Sequence, residues 1–168
     1  MAAENSSGNS AGSSIKVLVA AAAAIAAPAE GLRQWAYRDP PGVLSVCYGH
    51  TGNVDPTRKY SLAECSALLE ADMTTAVQQV RACAPRAPDS VVIAFGDAVY
   101  NLGPTVACDK GASTAARLLA AGQWRLACEQ LPRWDKARVM GVLVSLPGLT
   151  KRRAAERDVC LAGLETSA

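Results

Sequence analysis

The chain has one histidine and one phenylalanine, and aromatic residues make up only 5% of its 168 positions. With so few large side chains and abundant alanine, helices packed through short side chains are favoured over a sheet sandwich. Half of the residues are hydrophobic, enough for a sizeable core, and the length suits one domain with a small lobe beside a larger one. None of the six cysteines forms a CxxC pair, and with a single histidine the clustered ligands of a metal site are lacking, so neither metal nor cofactor is expected. A net charge of +2 is too small to argue for nucleic acid.

The cysteines present are Cys47, Cys65, Cys83, Cys108, Cys128 and Cys160. An even number spread through the body suits three disulfides, which persist in an oxidising compartment. Buried free thiols are the alternative on spacing alone. Cys65 and Cys83 fall on one predicted helix ~27 Å apart, too far to pair with each other.

A long apolar run is also missing. Residues 1–14 are mostly Ser, Gly, Ala and Asn and read as a disordered leader. From Val17 to Ala29 follows an alanine-dominated run whose helix covers ~20 Å, short of a ~30 Å hydrocarbon core. Two readings stay open here. Ala27-Pro28-Ala29 has the small-x-small form of a signal-peptide cleavage site. Pro28 and the sparse positive charge before the run fit instead a segment that is exported but kept.

After that run come Glu30-Gly31, a polar stretch with Tyr37 and Asp39, then Pro40-Pro41-Gly42 and a β-type run ending in Gly49-His50-Thr51-Gly52. This predicts a helix end, a turn and the start of a hairpin. Two carboxylates facing a cleft are what glycoside hydrolysis needs, one to donate a proton and one to stay ionised. Two acids nine residues apart are common by chance, however, and Asp39 has the alternative of capping the Pro-Pro turn.

The whole pattern resembles the phage lysozyme (endolysin) family of glycoside hydrolases. Glu30, Asp39 and Ser45 fall at the spacing of that family's catalytic Glu, Asp and Thr, and Tyr37, Gly42, Gly49, His50 and Thr51 fit as well. Ser45 keeps the hydroxyl of the usual Thr but loses a methyl that stiffens the rotamer. The resemblance continues through Ser61-Leu62-Ala63-Glu64, which is also a capping box. It includes Tyr100-Asn101-Leu102-Gly103, Arg133-Trp134 and Gly148-Leu149 with Arg152-Arg153 and Glu156, and so covers nearly all of residues 30–160.

The resemblance implies an α+β, lysozyme-like fold, with a small β-containing lobe around residues 36–60, a larger helical lobe and a cleft between them. It implies an endolysin that cuts the β-1,4 bond between N-acetylmuramic acid and N-acetylglucosamine of peptidoglycan strands. In that reading Glu30 is the proton donor, while Asp39 and Ser45 position water or stabilise positive charge. Tyr37, Asn101 and His50 are candidates for contact with substrate. The alternatives are that Asn101 only satisfies backbone and His50 only fixes local hydrogen bonds. The family layout implies the disulfides Cys47–Cys65, Cys83–Cys108 and Cys128–Cys160.

Beyond Ser61, Cys65, Leu68, Leu69, Met73, Ala76 and Val80 recur at helical spacing. Further helices are expected over residues 111–121, 123–131, 135–144 and 149–162. Trp35, Trp124 and Trp134 are read as packing residues. Arg152, Arg153 and Arg157 form a basic stripe, either solvated or paired with Glu156 and Asp158.

A proton donor needs a rigid setting, which a fraying first residue beside an ammonium group does not give, so cleavage after Ala29 is disfavoured. Residues 15–29 are then expected to act as the signal-anchor-release segment of this family's exported members. Such a segment is tethered transiently to the inner membrane and then released to the periplasm, with residues 30–168 as the catalytic domain of a monomer. A lytic transglycosylase and a non-catalytic cell-wall-binding module on the same fold remain alternatives.

Overall fold

The computed structural model describes residues 13–39 and 42–166; the expected leader, apart from Ser13 and Ser14, lies outside them. Helix α1 spans Ile15–Glu30. Alanine is the best helix former, and Leu18, Val19, Ala22 and Ala26 recur on one face, which is buried against the core. Pro28 sits in the last turn, and Gly31, at φ 71°, ends the helix with its N–H on the Ala27 carbonyl. Glu30 is therefore the final residue of a core-packed helix. Among the described residues, no helix is long and apolar enough to cross a membrane.

The small lobe is an antiparallel pair, β1 (Arg33–Arg38) and β2 (Leu44–Cys47), with Tyr37 opposite Ser45. It starts three residues earlier than expected. Helix α2 (Leu62–Cys83) opens on the capping box of Ser61 and Glu64 and carries Cys65, Leu69, Met73, Ala76 and Val80 inward. Helix α3 (Asp89–Leu102) is nearly enclosed, packed among α1, α2 and the C-terminal helix α7 (Pro147–Glu165). Short helices α4 (Thr105–Cys108), α5 (Thr114–Ala120) and α6 (Trp124–Cys128) complete the larger lobe. Disulfides join Cys47 to Cys65, Cys83 to Cys108 and Cys128 to Cys160, tying the small lobe to α2, α2 to α4, and α6 to α7.

Three expectations need correction. Residues 135–144 are not a helix: Lys136–Val139 (β3) and Val142–Ser145 (β4) form an antiparallel hairpin. The two residues between them, Met140 and Gly141, both have positive φ, the signature of a tight hairpin turn. The valines at 139, 142 and 144 suit strands better than helix. The helix expected over 123–131 stops at Cys128, and Leu131–Trp134 forms a separate 3₁₀ turn, because Pro132 lacks the N–H needed to continue. Trp124 and Trp134 pack on the core, but Trp35 is 56% exposed on β1.

Candidate functional site

Between the lobes lies an open cleft of about 610 Å³. Glu30, Tyr37, Asp39, Ser45, His50 and Asn101 all line it, brought together from α1, the small lobe and α3. The cleft wall also includes Tyr48, Thr51, Asp72, Thr75, Gln79 and Tyr100, none of which the sequence singled out as site residues.

Glu30 is held from three sides. Arg152 Nη1 donates to Glu30 Oε1 at 2.5 Å, and Asn101 Nδ2 approaches the same oxygen at 3.4 Å. On the third side the turn after β2, closed by Val46–His50 backbone bonds, brings Gly49 over the carboxylate. A Cβ at Gly49 would stand 3.5 Å from Glu30 Oε2, and φ of 89° there favours glycine. Asn101 sits in the last turn of α3, with its buried Oδ1 lacking a hydrogen-bond partner among the described residues.

Arg152 is itself fixed from below. Its Nε and Nη2 fork onto Asp97 Oδ2 and Oδ1 at 2.9 and 2.7 Å. Burial works against its charge, but the hydrogen bonds and charge of Asp97, then of Glu30, more than compensate and raise its pKa. Beside it, Arg153 donates to Glu156 in full burial. Three carboxyls (Glu30, Asp97, Glu156) thus face two guanidiniums. Burial, then the neighbouring Asp97, pushes the Glu156 carboxyl well above its ordinary value. The basic stripe is therefore mostly internal; Arg157 alone of the three is part-exposed, 3.6 Å from Asp158.

Asp39 follows β1, and its Oδ1 accepts the Val43 N–H at 2.7 Å. It thus braces the turn as well as facing the cleft. Ser45 is buried, and its hydroxyl points to the Val43 carbonyl at 3.4 Å, linking it to Asp39 through Val43. Tyr37 is covered by the Arg33 guanidinium at 4.4 Å from its ring centroid, and burial raises its pKa.

His50 spans the lobes. Its Nδ1 lies 2.7 Å from Asp72 Oδ2 on α2, and its Nε2 lies 2.6 Å from the Gly52 carbonyl. Nearby, Tyr100 on α3 donates its hydroxyl to the Tyr48 carbonyl. Burial and the neighbouring Glu30 charge keep that phenol protonated.

The phage lysozyme family model matches residues 27–156. The SAR-endolysin of Bacteriophage PS119 is 40% identical over 136 residues, covering 80% of this chain and 77% of its own. Among solved structures, the active form of the P1 phage endolysin Lyz matches with a TM-score of 0.73 at 25% identity, over 90% of this chain and 96% of that one. The muramidase domain of SpmX from Asticaccaulis excentricus also reaches 0.73, at 26% identity over 84% and 95%.

Proposed function

Because the chain belongs to the phage lysozyme family and is a peptidoglycan-hydrolysing lysis enzyme of the muramidase type, we propose that Glu30 is its proton donor, acting on the bond between N-acetylmuramic acid and N-acetylglucosamine. Asp39, braced through Val43 by Ser45, positions water or stabilises the positive charge that develops at the anomeric carbon. Tyr37, His50 and Asn101 contact the glycan, and the unpartnered Asn101 Oδ1 is available to accept a sugar hydroxyl or amide. The observation that carries this reading is that all six residues line one cleft, with Glu30 at its wall. Glu30 is part-exposed, so protons reach it from the open cleft.

The enzyme is exported and acts as a monomer in the periplasm. Residues 15–29 lie in the inner membrane first and pack against α2 and α3 afterwards. The supporting relationship is the placement of Glu30 as the last residue of α1. While the run is held in a bilayer, its buried face is missing from the core and Glu30 is withdrawn from Arg152 and Asn101. Release then brings donor and cleft together.

Reducing-end analysis of digested peptidoglycan tests the bond. Muramic acid reducing ends are expected; glucosamine ends contradict the assignment, and anhydro-muramic ends indicate a transglycosylase. N-terminal sequencing of the periplasmic protein tests the anchor. Retention of residues 15–29 is expected, and a mature terminus at Glu30 contradicts it.

A further inference from the structure

None of residues 136–145 lines the cleft, yet the β3–β4 hairpin gathers four exposed large apolar side chains, more than any other single segment among the described residues. Val139, Met140, Val142 and Leu143 are all exposed, with Met140 at 99%. Only the cross-strand pair Ala137 and Val144 is half-buried, so the hairpin presents both faces to its surroundings. A two-stranded hairpin in water is marginal without something to cover it.

Met140 is disfavoured twice over in a water-facing turn. Its φ of 49° is one that Asn or Gly adopts more readily, and its side chain gains nothing from solvent. An apolar environment at the tip accounts for its presence. Charge indicates which environment. The hairpin bears Lys136 and Arg138 and no acid between residues 136 and 145, and Arg133 and Lys151 stand exposed at its base. The nearest acid, Asp135, is engaged with the Thr150 hydroxyl at 3.0 Å.

We propose that this hairpin docks the enzyme on an anionic lipid surface, its tip entering the interface while Lys136 and Arg138 meet headgroup phosphates. An apolar tip with a basic collar matches a negative plane above a hydrocarbon layer. A two-fold contact with a second copy would instead set Lys136 and Arg138 against their own counterparts. The element is separate from α1 and from the cleft, so it retains the released enzyme near the bilayer without occupying the active site.

The test is co-sedimentation of the full released enzyme with vesicles of phosphatidylglycerol and phosphatidylethanolamine, compared with pure phosphatidylcholine vesicles. The comparison variant is Met140→Asn with Leu143→Thr, residues suited to the turn and strand, so folding is preserved. The wild type is expected to prefer the anionic vesicles and to lose binding as salt rises. The variant is expected to bind about tenfold more weakly while cutting soluble peptidoglycan fragments at the wild-type rate. Equal binding by variant and wild type would overturn the proposal and assign membrane contact to α1. So would binding indifferent to lipid charge, self-association by sedimentation that the variant abolishes, or a matching loss of affinity for purified sacculi.

Discussion

Arg152 Nη1 lies 2.5 Å from Glu30 Oε1, while the other two nitrogens of the same guanidinium are clamped by the fully buried Asp97. Helix α7 thus reaches across α3 to hold the last residue of α1. Asp97→Asn breaks the fork and leaves Arg152 buried beside one neutral partner. The expected loss of stability is about 3–5 kcal/mol, read by denaturant unfolding. Because Asp97 acts through Arg152, kcat is expected to fall on the order of tenfold or more with KM little changed. A variant that lost stability alone, with kcat intact, would show that the fork is only structural.

The His50–Asp72 pair joins the small lobe to α2 at 2.7 Å, with both side chains part-exposed. Asp72→Asn is expected to cost about 1.5 kcal/mol, the low end for a charge-assisted bond given the solvent access. A double-mutant cycle with His50→Asn isolates the pair. A coupling near zero would mean that His50 gains its position from the Gly52 carbonyl instead.

Gly96 lets α3 pack closely against α2 and α1. A Cβ there would meet Val77 Cγ2 at 2.8 Å and Ala22 Cβ at 3.7 Å. Gly96→Ala gains about 0.5–1 kcal/mol of helix propensity, but overpacking costs about 1–3 kcal/mol. The thermal midpoint is expected to fall, and Val77→Ala in the same chain is expected to recover part of that fall. Additive losses in the double variant would contradict the assignment of the strain to Val77.

Glu64 gives a pH-dependent contribution with a definite sign. The backbone N–H of Ser61, the Arg58 guanidinium and the Ser61 side chain together hold its carboxyl at about 2, below the ordinary 4.5. A depressed folded value stabilises the protein above the unfolded pKa, and that contribution is lost as pH falls from about 4.5 to about 2. The stability gap between wild type and Glu64→Gln is therefore expected to be full at pH 7 and to narrow through that window. A gap that stayed constant to pH 2 would contradict it.

The parts of the fold that the sequence made legible are those with local signals. Ser61 and Glu64 declare the start of α2, and alanine with Gly31 brackets α1. The hairpin at 136–145 is not legible, because Met140 stands where Asn or Gly would announce a turn, and because a short apolar run reads equally as helix or strand. Helix α3 is hidden in the sequence because it is apolar on nearly every side and so lacks amphipathic periodicity. The one acid in its middle, Asp97, was the available clue, since a carboxylate in such a run needs a buried partner. Arg152 was visible as a charge, but its role under Glu30 depends on a contact 122 residues away. Similarly, Asp72 faces His50 only because the small lobe folds back onto α2.

The central claim is that Glu30, delivered by α1, donates the proton to the glycosidic oxygen. The direct measurement is release of reducing sugar from purified peptidoglycan by the released enzyme and by Glu30→Gln, which keeps the shape and can still accept the Arg152 hydrogen bond. The account predicts a loss of ~10²-fold or more with folding intact by circular dichroism. A folded Glu30→Gln enzyme within a few-fold of wild-type activity would contradict it.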